Sequence, residues 1–392
     1  MVALTLSSTP TSAQVLPSDI REAFLADPLT DVPRDPLLPS VPIPRSLSPL
    51  EQLALTQALD QLLTSITELG LTADQRARDL WMREVRLRRL LGVKAELVAI
   101  ERAASTLHDW NATQELQLLS ARLTVLVADL LAESPLALDQ LEEAAIIYGL
   151  LGNLEAALSL RSTLAEAANR RGDLVAYWAQ LEGMANLYEE GFYFSEAANI
   201  YQQLVAIATS NDLIDDQIRF LQAQIKNLTL AQDLASALGA QQQLLQGYLS
   251  DSIYWPRIAS LQYAMADNQV LLGELDSASR HYQIAYTNAI GSQQFSLAAA
   301  TLGRLVKLYD RLGHWSDVDY LYEQLLRVHQ TTSNAYGLMD SFDQLGQLYE
   351  QRGNYQAALL SYRQGLVLAH KLNHRQNYFE TQIKRLMQTE VP

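Results

Sequence analysis

The 392 residues predict an all-α chain, an α-solenoid of about six regular 40-residue helix hairpins behind an irregular helical N-terminal cap. Three observations predict it. Between Phe342 and Ala369, the residues Leu345, Gly346 and Tyr349, then Gly353, then Ala358 and Tyr362 stand where two helices joined by a glycine turn need them. Small residues there let the helices approach, large ones fill the space between, and Gly353 ends the first helix. The same pattern recurs upstream at steps of forty residues. Finally, the apolar residues, 48% of the chain, are spread in helical stripes rather than gathered in a run long enough for a membrane helix.

Residues 1–47 read as a proline-rich arm, extended or disordered. The start, MVALTLSSTPTSAQ, has a short apolar piece and a small-residue run ending at Ser12-Ala13-Gln14, but its first positive charge is Arg21. It fits either a disordered N-terminus or a secretory signal cut short, and only the second places the chain outside the cytoplasm. Nine of the twelve prolines lie in the first fifty residues. Pro33, Pro36, Pro39, Pro42, Pro44 and Pro49 forbid a helix and favour a polyproline-like strap. The apolar Leu37, Leu38, Val41 and Ile43 would let that strap lie along the solenoid; a mobile linker is the alternative.

Residues 48–134 read as the helical cap. Ser48-Pro49-Leu50-Glu51 is a capping box with proline at the first helical position, and the helix it starts runs to about Gly70. Asp74 to Leu91 is a second helix, and its Arg76, Arg78, Arg83, Arg86, Arg88 and Arg89 are the one basic concentration in the chain. They either receive an acidic partner or anionic lipid, as a peripheral membrane contact, or pair with neighbouring carboxylates. Their spread around the helix favours pairing. Gly92 then resembles a further hairpin turn, out of phase with the rest, and a third helix covers roughly Ala112 to Glu133.

Residues 135–392 read as the regular array. Stepping back from the last hairpin gives Gly313, Trp315 and Tyr322, then Gly273, Ala278 and Tyr282. A degenerate copy follows, with Asp233 at the glycine position, Ala235 with Leu238, and Gln242 at the tyrosine position. A step of forty-one reaches Phe194, Ala197 and Tyr201, and forty more reaches Gly152, Leu154 and Ala157. Residues 377–388 supply a capping helix, since solenoid ends must cover their apolar faces.

The residue types and spacings resemble the tetratricopeptide repeat (TPR), whose usual unit is about 34 residues. The resemblance implies a right-handed superhelix whose first helices line a partner-binding groove. Carried onto this sequence, it selects the groove residues Glu182, Asn186, Gln224, Asn227, Tyr263, Asp267, Arg304, Lys307, Asp343 and Gln347. The series Asn186, Asn227, Asp267, Lys307 and Gln347 recurs at one position of the unit, and such side chains bond an extended peptide backbone. With a net charge of −15, the chain repels nucleic acid and favours a basic peptide or a divalent cation.

No phosphate loop, nucleophile elbow or HExxH stands in the sequence, and the absence of cysteine removes thiolate chemistry. His370 and His374 have the spacing of a helical metal pair but straddle an expected helix end. The carboxylates Glu142 and Glu143, Glu189 and Glu190, and Asp340 and Asp343 are the metal-ligand candidates.

The order of parts is similar to that of a cyanobacterial family, the processing-associated TPR proteins (PratA type). The segments that carry the resemblance are DPLLPSVPIPRSLSPLEQ and DLWMREVRLRRLLG. It implies a periplasmic or thylakoid-associated role in photosystem II assembly, with the C-terminal region of the D1 precursor as partner and Mn2+ as possible cargo; no cofactor is required. The expectation is a non-catalytic protein-binding scaffold. A cytoplasmic adaptor or regulator, and a metal-transfer protein or enzyme with a site across repeats, are the alternatives.

Overall fold

The structure, a computed structural model, describes residues 17–39, 45–69, 74–133 and 135–389. The signal-like start and the prolines at 42 and 44 lie outside them. Among the described residues every regular element is helical. The helices are α1 (Ser18–Leu25), α2 (Pro49–Leu69), α3 (Gln75–Arg88), α4 (Val93–Asp109), α5 (Thr113–Ala132), α6 (Leu138–Leu150), α7 (Leu154–Arg170), α8 (Leu174–Glu190) and α9 (Phe194–Ser210). They continue as α10 (Ile214–Leu230), α11 (Leu234–Ser250), α12 (Trp255–Leu272), α13 (Leu275–Gly291), α14 (Phe295–Leu312), α15 (Trp315–Thr331), α16 (Ala335–Gln351), α17 (Tyr355–Leu372) and α18 (Gln376–Thr389). Two compact units divide the chain, Met1–Ile200 and Tyr201–Pro392. In each, consecutive helices pack as antiparallel pairs, the arrangement of an α-solenoid.

The turns inside the six hairpins explain the period. The residue two before each second helix has a left-handed backbone: Gly152, Phe192, Gln232, Gly273, Gly313 and Gly353. Glycine takes this conformation without strain, and a side chain takes it at a cost. The residue that follows is the N-cap, and Asn153, Asp233 and Asn354 each accept a hydrogen bond from the backbone N–H three residues on. Three residues into each second helix stands Ala157, Ala197, Ala237, Ala278, Val318 or Ala358, all completely buried. A β-branched residue is the largest side chain this close helix contact admits in the array.

This register corrects the degenerate copy. The left-handed residue is Gln232 and not Asp233, Leu234 and not Ala235 opens the second helix, the small buried residue is Ala237 and not Leu238, and Gln241, not Gln242, stands at the tyrosine position. The step of forty-one therefore falls between Gln232 and Gly273. Its cause is local: the connection from α11 to α12 runs through a 3-10 turn, Ser252–Tyr254, before Pro256 in the first turn of α12.

In the first unit, residues 17–39 are not an extended strap. They form α1, a 3-10 turn at Pro28–Thr30 and a further turn, with Phe24 and Leu38 buried. The arginines of α3 hold them. Arg83 donates to both oxygens of Asp35 at 2.6 and 2.7 Å, Arg86 donates to Asp31, and Arg89 lies 4.6 Å over the Phe24 ring while donating to its carbonyl. Arg88 donates to the fully buried Glu84 and to Asp60. At least four of the six arginines are thus spent on internal partners, which the even spread around the helix foreshadows. The capping box forms as expected, the Ser48 N–H donating to Glu51 at 2.6 Å.

In the second unit, α18 closes the array. Phe379 and Leu386 are buried against α17, and Tyr362 packs over Gly346, where a β-carbon would stand 2.7 Å from its ring.

Candidate functional site

The first helix of each hairpin presents the candidate partner face, and the structure sorts the predicted residues on it into three groups. The first group is misassigned. Gln224 is 9% and Asn227 0% exposed, both turned to the interior of α10, because the extra residue of the period lies after this hairpin and not before it. The equivalent of Asn186 and Asp267 in α10 is Lys226. Asn186, Lys307 and Gln347 are exposed as expected.

The second group is drawn together. Tyr263, Asp267 and Arg304 meet on α12 and α14: the Arg304 Nε donates to the Tyr263 hydroxyl at 3.0 Å and stands 3.4 Å from Asp267. A fourth member comes from the second helix, since the Tyr282 hydroxyl donates to Asp267. Burial, with the neighbouring Asp267 carboxylate, pushes the Tyr282 phenol far above its ordinary pKa. Lys307 lines an adjoining cleft of about 300 Å3 with Val270, Leu271 and Arg311.

The third group serves the C-terminal helix. Asp343 is buried and accepts from Arg375 at 2.5 Å and from the Tyr378 hydroxyl at 2.8 Å, while Asp340 accepts from the same arginine at 2.9 Å. Gln347 donates to Asp343 and to Tyr378. These carboxylates seat α18, and arginine nitrogens occupy the lone pairs that a metal would need.

The other metal-ligand candidates do not converge either. Glu142 accepts from Gln180 at 3.0 Å, and Glu143 turns toward α4, where burial and the Glu101 carboxylate raise its pKa. Glu182, Glu189 and Glu190 lie along α8, Glu190 exposed at its last residue. Among the described residues no three His, Asp or Glu side chains gather as a metal site. His370 lies in the last turn of α17 and His374 beyond its left-handed C-cap Asn373, so the pair straddles the helix end as the sequence indicates.

Sequence reasoning missed Arg161. It lies on α7, seven residues after the helix start, where the later second helices carry Tyr201, Tyr282, Tyr322 and Tyr362. That exchange of tyrosine for arginine was the available signal. It lines a cleft of about 680 Å3 between α4, α6 and α8, together with Ile146, Leu150, Asn186 and Glu190.

Comparison with known proteins fits this geometry. Residues 341–376 match the family model described as tetratricopeptide repeat. The last hairpin is a TPR. The other five hairpins share its turn and its buried small residue, and are TPR-like on that ground. Among solved structures, the chain is similar to BtubC (BKLC) from P. vanneervenii, at 17% identity over 56% of this chain and 92% of that one, with a TM-score of 0.39. It is also similar to the apo form of RapI, at 12% identity over 85% and 97%, with a TM-score of 0.39. The apo quorum sensor NprR from B. thuringiensis gives 13% identity over 86% and 99%, with a TM-score of 0.32. The fold is read from the helices themselves. No curated protein matches the chain.

Proposed function

We propose that this chain is a non-catalytic scaffold whose first-helix face binds a segment of a partner protein. The observation that carries the reading is the exposed polar side chain that recurs at one repeat position, Asn186 in the first unit and Lys307 and Gln347 in the second, each unit also exposing an apolar residue on its first helices, Ile146 and Leu271. Within a unit, such residues offer hydrogen bonds to a peptide backbone and apolar contacts to its side chains. The TPR match supports the same reading. Selection of a random twelve-residue display library on the full chain tests it. The expected result is an enriched sequence family whose binding falls when Asn186 or Lys307 is changed to alanine. A library with no enrichment over an unrelated helical protein would overturn it.

The finer reading, a role in photosystem II assembly through the D1 C-terminal region, with Mn2+ delivery and export, rests on the sequence resemblance. Within the two segments that carry it, Asp35 and Arg83 bond each other, an internal contact of this chain rather than a partner contact. Calorimetric titration with the D1 C-terminal peptide, with Mn2+ and with Mg2+ as control, tests it. Saturable peptide binding, with Mn2+ heat that Mg2+ does not reproduce, is the expected result; no heat from either would reject it.

A further inference from the structure

We infer that Arg161 receives a carboxylate carried by an otherwise basic segment of the partner. The inference rests on the reading of the first-helix face as a partner surface and names one chemical feature of what binds there.

The argument begins with position. At the equivalent place in later hairpins, Tyr282 and Tyr362 project between the helices and donate to Asp267 and Glu350. Arg161 projects the same way, and its guanidinium presses on Gly183 of α8, where a β-carbon would stand 2.2 Å from Nη1. Only glycine leaves that space open. Tyr282 and Tyr362 thus reach a carboxylate on the first-helix face; Arg161, which needs one more, reaches none. Its one hydrogen bond is donated to the neutral Gln180 Oε1 at 3.2 Å. Its Nε is buried without a partner. Arg89, Arg122 and Arg304, in contrast, each stand within 3.4 Å of a carboxylate oxygen.

Electrostatics agrees with the geometry. Burial lowers the pKa of Arg161, and Glu142 and Glu190 oppose this through space without reaching ion-pair distance. A guanidinium with part of its hydration removed and no bound counter-ion gains most from an anion, and a carboxylate matches its donor fork. The cleft in front of it, about 680 Å3, is in the range of ligand sites. Its walls add apolar surface from Ile146, Leu150 and Leu187. Because Glu142 and Glu190 stand beside the arginine, the residues flanking the incoming carboxylate must be basic or neutral. A polyacidic segment would be repelled by both.

The test follows the Nε–H signal of Arg161 in the full chain labelled with 15N-arginine, assigned by its loss in Arg161→Lys. The probes are N-acetyl-Lys-Glu-Lys-amide, the same peptide with Gln for Glu, and the Gln peptide with a free C-terminus. The Glu peptide is expected to move the signal saturably, with the Gln amide at least about tenfold weaker, as a charge-assisted bond lost to a neutral one predicts. Movement by the free-terminus peptide alone would also support the inference and assign the carboxylate to a chain end. Equal movement by all three, or none up to about 10 mM, a concentration that detects even millimolar affinity, would overturn it. Binders in the display library with no movement here would leave the scaffold reading standing and remove only this site; movement here without library binders would do the reverse.

Discussion

Phe379 lies so close over Gly365 that a β-carbon at 365 would stand 2.3 Å from its ring. The phenyl ring, completely buried, fills a notch that only a missing side chain provides. This contact and the Arg375 bridges to Asp340 and Asp343 seat the last helix, so the C-terminal end of the array depends on one glycine.

Gly365→Ala is therefore expected to destabilise the last hairpin by about 1–3 kcal/mol, the usual cost of overpacking. Phe379→Ala should cost about 3–5 kcal/mol by leaving a cavity. Hydrogen exchange across residues 335–389 reads both locally, which matters in a solenoid that opens unit by unit. Unchanged protection in Gly365→Ala would show that α18 shifts freely and is not seated by the notch.

Ala358 is completely buried where α17 meets its neighbour, whereas Gln347 is exposed. Ala358→Arg should unfold the final hairpin, since a guanidinium would enter a close helix contact without a partner. Gln347→Ala should change stability by no more than about 0.5 kcal/mol. Urea denaturation of the two variants decides it, and an Ala358→Arg protein as stable as the parent would refute the forty-residue register.

Gln232 holds a left-handed backbone, φ 61°, where four of the six hairpins use glycine. Gln232→Gly is expected to stabilise the α10–α11 hairpin by about 1 kcal/mol, because glycine removes the Cβ penalty. Gly313→Ala should have the opposite sign and similar size. Thermal unfolding of both checks the pair; a loss in Gln232→Gly would mean that its side chain contributes more than its backbone costs.

The arm should loosen in acid. Burial alone would raise the pKa of Asp35, but the Arg83 bonds and the Leu37 N–H outweigh it and hold the carboxyl below its ordinary value. The Arg45 bond, with the Ser48 hydroxyl and N–H, brings Glu51 to about 2. Both folded values are depressed, so the stability they contribute is fully present above the ordinary carboxylate range, near pH 4. It is lost as pH falls through the folded values. With no cysteine elsewhere in the chain, Ser18→Cys carries a single environment-sensitive dye whose emission should change between about pH 4 and 2. The same change in an Asp35→Asn, Arg83→Gln variant would assign the transition elsewhere.

Much of this was legible in the sequence because TPR-like hairpins are held by local rules. Gly353, Gly313 and Gly273 announce left-handed turns, and Ala358, Ala278 and Ala197 announce close helix contacts, each within a few residues of its effect. The candidate site was less legible. Gln224 and Asn227 were misplaced because one extra residue in the α11–α12 connection leaves no mark on residue types, yet moves a side chain about 100° around its helix. The N-terminal arm was misread for another reason: prolines predict what Pro33 to Pro39 cannot do, and say nothing of Arg83 and Arg86, fifty residues on, which fold the arm against α3.

The sequence by itself thus determined the all-α class, the hairpin period and the kind of residue at each turn, since these follow from backbone sterics and from apolar spacing along one helix. Only the tertiary structure decided which charges are spent and which are available. It paired Asp343 with Arg375, gave Arg83 to Asp35, and left Arg161 over Gly183 without a carboxylate. Charge pairing acts between residues brought together by packing, and no spacing along the chain records it.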